Sequence, residues 1–119
     1  MSKLFLLFSL FISTPAFADD WSKADTQREV AYQMFLGVDW AQTRYVARNP
    51  DKFIERNPIL GDHPSVDKVD AHFVLSGLAH YGISRALDEK WRKRFQYVTV
   101  AFQGAVVARS VHIGVGIRF

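Results

Sequence analysis

The sequence predicts an all-α protein, a three-helix bundle behind an N-terminal signal peptide. Three observations carry this. Residues 1–18 have the form of a secretory leader. Three stretches then show polar residues recurring at three- and four-residue spacing, the helical repeat. Caps and prolines punctuate the chain at the ends of those stretches.

The leader comes first. Met1-Ser2-Lys3 is a short basic start, Leu4 to Ile12 is apolar apart from Ser9, and Ser13-Thr-Pro-Ala-Phe-Ala18 ends in a small-x-small cleavage pattern. The apolar run is short for a membrane anchor. Cleavage after Ala18 leaves one domain, 19–119, with a modest core. The formal net charge of +3 falls by one with Lys3. That is no nucleic-acid footprint, and no nucleic-acid partner is expected. The chain has no cysteine, so disulfides, thiolate metal sites and a lipid-anchoring cysteine are excluded. A small exported domain without such staples needs support from a membrane lipid surface, an envelope protein partner or a second copy of itself.

The first helix is expected over roughly 25–49, with Asp25 or Thr26 as cap, Glu29 near its positive end and Asn49-Pro50 as its stop. The second is expected over roughly 65–87, capped by Ser65 with Asp67 in its first turn. The third is expected over roughly 88–110, capped by Asp88.

Each helix is mostly apolar and carries a thin polar stripe. Asp39, Gln42 and Thr43 share a face of the first, with Arg28 in nearly the same direction. His72, Ser76, His80 and Ser84 recur every four residues on the second. Arg92, Gln96, Thr99 and Gln103 recur on the third, with Ser110 beyond. A soluble bundle shows the opposite balance. Thin polar stripes on apolar helices indicate polar faces turned inward and apolar faces turned to lipid or a partner. Arg28, Asp39, Gln42, Thr43, His72, His80, Gln96 and Gln103 are therefore expected to form one inward polar cluster. Ser76, Gly77, Ala79, Gly82 and Ser84 would allow close approach of helices.

Simple membrane crossing is a poor fit. The uncharged runs Ala71–Ser84 and Phe95–Ala108 would extend only about 21 Å, against the hydrocarbon thickness of roughly 30 Å. The connections on either side of the second helix are equally basic, so no orientation follows. The expected location is exported, at the inner membrane or in the periplasm rather than the outer membrane.

"ERNPILGDHPS", Glu55 to Ser65, is the most distinctive stretch. A carboxylate and an imidazole at a helix junction suit acid–base work. A structural corner uses the same residues more economically. Asn57-Pro58 and His63-Pro64 force extended or turn backbone, Gly61 can take positive φ, and Ser65 caps the next helix. Ile59 and Leu60 are expected to plug the end of the bundle.

Asp39 stands in an otherwise apolar stretch, so a buried carboxylate is expected there, paired with Arg28, Arg44, His80 or Gln103. The favoured role is a polar clasp fixing helix register, and a structural or interaction function follows. The alternative is a small membrane-interface hydrolase or transferase using Asp39, Glu55 and His80. His63, His72, His80 and His112, with Asp62, Asp67 and Asp70 nearby, invite a metal. But His72 and His80 would stand about 12 Å apart on one helix, and no H-x-x-x-H or H-E-x-x-H occurs. No metal and no cofactor are expected. There is no G-x-S-x-G for serine chemistry either.

The last stretch, "VHIGVGIRF", alternates Val111, Ile113, Val115, Ile117 and Phe119 with His112, Gly114, Gly116 and Arg118. Period two is a strand signal, so an extended tail is expected over 111–119, paired with a partner strand or moving freely.

Taken together, "DWAQTRYVARNPDKFIERNPILGDHPS", "HYGISRAL" and "WRKRFQYVTVAFQGAVVARSVHIGVGIRF" resemble a group of short exported proteins of unknown function from bacteria and their phages. The shared pattern is D-W-x-Q-T, then E-x-N-P-I-L-G-x-x-P-S, then a His-Tyr helix and a terminal Phe. It falls here on Asp39, Gln42, Thr43, Glu55, Asn57, Pro58, Gly61, His80 and Phe119. The group often carries an acid where this chain has Gln103, so chemistry needing that acid is in doubt here. The resemblance implies a small envelope membrane protein and brings no activity with it.

Overall fold

The computed structural model describes residues 20–55 and 57–115, and the leader and the last four residues of the tail lie outside that range. Three helices make up the architecture: α1 (Lys23–Ala47), α2 (Val66–Ala86) and α3 (Glu89–His112). α1 packs against both others, while α2 and α3 touch each other much less. The all-α three-helix bundle is the fold.

Local chemistry sets the helix ends. The cap of α1 is Ser22, not Asp25 or Thr26. Ser22 Oγ accepts the Asp25 N–H at 3.1 Å, and Asp25 Oδ2 accepts the Ser22 N–H at 2.9 Å. This reciprocal box satisfies two backbone donors at once. Thr26 instead accepts the Trp21 indole N–H at 2.8 Å. α1 stops two residues before Asn49, whose side-chain amide donates back to the Tyr45 carbonyl. Ser65 and Asp88 cap α2 and α3, accepting the Lys68 and Trp91 N–H groups. Only Leu87 and Asp88 separate α2 from α3, and Leu87 is extended, which turns the chain sharply.

The corner between α1 and α2 is built on Asn57. Its side-chain oxygen accepts the Ile59 N–H at 2.9 Å, and its carbonyl accepts the Leu60 and Gly61 N–H groups. Gly61 takes φ +83°, a conformation open to glycine at little cost. The Glu55 N–H closes the loop on the Asp62 carbonyl at 2.9 Å. Pro64 and Leu60 are buried, whereas His63 is exposed. Leu60 alone plugs the bundle, since Ile59 is 72% exposed.

At the other terminus, Val111 and His112 are helical rather than part of an extended tail. Gly114 at φ +95° breaks the helix. Val115 folds back, donating its N–H to the Ser110 carbonyl, and is fully buried.

The interior is small and mixed. Tyr32, Leu36, Leu60, Val69 and Phe73 form its apolar part, with Trp40, Ala47 and Val100 packed around them. Polar side chains fill the rest. Arg92, Gln42, Gln96, Asp25 and Ser84 are among the most deeply buried groups of the molecule, while Met34, Leu75, Val98 and Phe102 are each roughly two-thirds exposed. Among the described residues no helix is long and apolar enough to cross a membrane.

Candidate functional site

The inward polar residues form two assemblies rather than the single cluster expected. The first lies where the start of α1 meets the end of α2 and the start of α3. Glu29 is its centre. His80 Nδ1 donates to the Glu29 carboxylate at 2.8 Å, Ser84 Oγ at 2.9 Å, Gln33 Nε2 at 2.9 Å and Gln96 Nε2 at 3.2 Å. The His80 ring stacks on Tyr32, with centroids 3.5 Å apart, and on Phe95 at 4.7 Å. Its Nε2 lies 2.7 Å from Thr99 Oγ1, which in turn reaches the Phe95 carbonyl of its own helix at 2.8 Å. Burial pushes the Glu29 carboxyl up, but the hydrogen bonds from His80, Gln33 and Gln96 and the charge of His80 outweigh it and hold the group below its ordinary value.

Asp25 and Arg92 extend this assembly. Arg92 donates to the Ser84 carbonyl at 2.6 Å, the Leu87 carbonyl at 2.8 Å, Asp25 Oδ2 at 3.1 Å and Asp20 Oδ1 at 2.9 Å. Arg28 bridges Asp25 and the Gln96 side-chain oxygen. Burial raises the Asp25 carboxyl, yet the Ser22 hydrogen bonds and the Arg92 charge bring it below the usual range. Most bonds of this network join two helices or fix a helix end, so its geometry is that of a clasp.

The second assembly lies at the corner end and surrounds a cavity of about 460 Å³. Asp39, Gln42, Thr43, Glu55, Asn57, His72, Ser76, Gln103, Arg109 and Ser110 contribute its polar lining. Gln103 Nε2 donates to Asp39 Oδ2 at 2.6 Å and Thr43 Oγ1 to Asp39 Oδ1 at 3.1 Å. Burial raises the Asp39 carboxyl above its usual range, and the Glu55 charge adds to this. The bonds from Gln103 and Thr43, and any charge on His72, only partly offset it. The Asn57 side-chain nitrogen stands 3.2 Å from His72 Nε2. Because the Asn57 oxygen is taken by Ile59, the amide donates and His72 Nε2 accepts. A carboxyl of raised pKa beside a second acid and an imidazole can give or take a proton.

Asp39 and Glu55 thus share one site, but His80 belongs to the other assembly, and His72 is the histidine that joins them. Asp39 pairs with neither Arg28 nor Arg44. Arg28 serves Asp25, and Arg44 bonds Asp70, which also accepts the Trp40 indole N–H. Of the partners expected for Asp39, Gln103 is the one it has. Asn57, Pro58, Gly61, Pro64 and Ser65 all belong to the corner, and Asn57 and Pro58 also line the cavity. No group of three metal-ligating side chains stands together among the described residues.

Sequence reading gave Asp25 and Glu29 only helix-end roles. The signal for more was present. Stepping back from Thr43 and Asp39 by alternate threes and fours lands on Leu36, Tyr32, Glu29 and Asp25, a continuous inward seam. Compared with protein families, curated proteins and solved structures, the chain finds no match.

Proposed function

We propose that this chain is a small exported cell-envelope protein that rests on a lipid surface in a structural or interaction role. The observation that carries this is the exchange of polar and apolar side chains between inside and outside. Arg92, Asp25, Gln96 and Gln42 are buried, while Val30 and Met34 of α1, Val74, Leu75 and Leu78 of α2, and Val98 and Phe102 of α3 face outward. Apolar residues exposed on all three helices, rather than on one, favour a surrounding medium over a single protein partner. The length of the apolar runs favours partial immersion over crossing. The leader over residues 1–18 and the resemblance to short exported proteins, carried by Asp39, Gln42, Thr43, Glu55, Asn57, Pro58, Gly61, His80 and Phe119, agree with this reading. Fractionation of cells making the native protein tests it. Retention in the membrane pellet through high-salt and carbonate washes is the expected result, and release into the soluble fraction contradicts it.

A second reading, a membrane-interface hydrolase or transferase, draws on the meeting of Asp39 and Glu55 in one cavity. It replaces His80 by His72. It requires that Asp39→Asn, Glu55→Gln or His72→Asn fold normally and abolish a cellular function that the wild-type chain supports.

A further inference from the structure

α3 carries most of its charge where helix electrostatics oppose it. The helix holds one acid, Glu89, against five lysines and arginines, and Lys90, Arg92, Lys93 and Arg94 stand in its first two turns. The positive end of a helix dipole disfavours cations there. Arg92 turns inward, is buried, and is matched by Asp25 and Asp20. Lys90, Lys93 and Arg94 are exposed, and among the described residues none of them has an ion pair or a side-chain hydrogen bond. Nothing inside the fold compensates these three.

The same outward face adds aromatic and apolar groups. Lys90, Arg94, Tyr97 and Ala101 recur at four- and three-residue spacing, opposite the inward Arg92, Gln96 and Gln103. Trp91, Val98 and Phe102 flank that row. Trp91 and Tyr97 are each more than half exposed, and Val98 and Phe102 more so. Arginines lie over the rings at this end of the bundle: Arg94 over Trp91 at 5.0 Å, Arg28 over Tyr97 at 5.3 Å and Arg85 over Trp21 at 4.0 Å. The Arg94 guanidinium keeps its N–H donors open to a phosphate. The opposite end of the bundle differs. There the exposed Lys52 and Lys68 stand in segments with the exposed Asp51, Asp62 and Asp67, and Arg44 is held by Asp70. At the α2–α3 turn, Asp20 is taken by Arg92 and Asp88 by the Trp91 N–H.

Uncompensated cations, then Trp and Tyr, then bare aliphatic and Phe side chains are the groups that match an anionic headgroup layer, its interface and the start of the acyl region. A soluble polyanion would use the cations but leave Val98 and Phe102 in water. We infer, on the reading that the bundle rests on lipid, that the outward face of α3 docks on anionic phospholipids. Lys90, Lys93 and Arg94 meet the headgroups, Trp91 and Tyr97 lie at the interface, and Val98 and Phe102 enter the acyl boundary.

The test is binding of the purified mature chain to vesicles of phosphatidylcholine alone and of phosphatidylcholine mixed with phosphatidylglycerol. Each cation near such a surface strengthens binding roughly fivefold, so the mixed vesicles should bind the chain about 100-fold more tightly at low salt. At 1 M salt, where the Debye length is about 3 Å, the two should bind within a few-fold of each other. Lys90→Gln, Lys93→Gln and Arg94→Gln together should abolish the low-salt preference and leave binding to phosphatidylcholine unchanged. The melting temperature of this variant should be unchanged or higher, since its helix dipole is no longer opposed. Lys52→Gln, Lys68→Gln and Arg109→Gln together remove the same charge from the opposite end and should retain the preference. Equal binding of both vesicle types by the wild type, or equal loss of preference in both triple variants, overturns the inference and leaves the lipid reading standing. Binding to neither vesicle overturns both.

Discussion

Glu29 of α1 and His80 of α2, 51 positions apart in the chain, meet at 2.8 Å in the interior, with the imidazole held between Tyr32 and Phe95. A buried pair of this kind is weak evidence of net stability but is costly to break, because the group left behind has no water to turn to. Glu29→Ala and His80→Ala should each destabilise the fold by about 3–5 kcal/mol. The double variant should cost clearly less than the sum. Urea unfolding followed by circular dichroism measures all three.

The network around this pair predicts an acid limb. Glu29 and Asp25 are held below their ordinary values of 4.5 and 3.8 in the fold. A depressed carboxylate contributes stability that is complete above the unfolded value and is lost as pH falls through the folded one. The melting temperature should therefore hold at pH above about 5 and drop steeply below the ordinary carboxylate range. Glu29→Gln should lower the plateau and flatten the drop. An equally steep acid limb in that variant would move the cause elsewhere.

Asp39 has the opposite sign. Its carboxyl is raised, with burial the largest cause, so the ionised form is a burden on the fold and protonation relieves it. Asp39→Asn keeps an acceptor for Gln103 while removing the charge. Its melting temperature should exceed that of the wild type at neutral pH, and the difference should close as pH falls past the raised value. A variant less stable at every pH would show that Asp39 is needed as a charge.

The corner gives a graded set. Gly61 at φ +83° has open space where a side chain would stand, so Gly61→Val pays only in backbone strain, about 1–3 kcal/mol. Asn57→Ala frees the Ile59 N–H and the His72 ring and should cost about 1 kcal/mol. His63 is exposed, and His63→Ala should leave thermal stability unchanged. A large loss of cellular function in His63→Ala at unchanged stability would make the corner a site after all.

The fold was legible because its signals are local. Ser65 and Asp88 announce helix starts, Asn49-Pro50 a stop, and Gly61 a turn, each through its own backbone chemistry. The inward stripes of Asp39, Thr43, His80, Gln96 and Gln103 followed from helical spacing. Their pairing did not. Spacing puts residues on a face but leaves open the axial level at which two helices meet. That level sends His80 to Glu29 and His72 to the cavity, and gives Arg44 to Asp70 rather than Asp39. Asp25 and Glu29 were hidden by a competing explanation, since acids in a first turn already suit the helix end. At the start of the tail, the alternation from Val111 is a weak signal beside a helix already propagating from Asp88, which runs on through His112, while 116–119 lie outside the described residues.

Flotation of the purified mature chain with phospholipid vesicles at high salt tests the central claim most directly. Leu75 and Phe102 are exposed on α2 and α3 and carry no part of the clasp. The account predicts that the wild-type chain floats with the vesicles, and that Leu75→Glu with Phe102→Glu retains helical content and melting temperature but stays at the bottom of the gradient. A wild-type chain that remains in the aqueous fraction as a monomer, or a double variant that floats as well as the wild type, would contradict it.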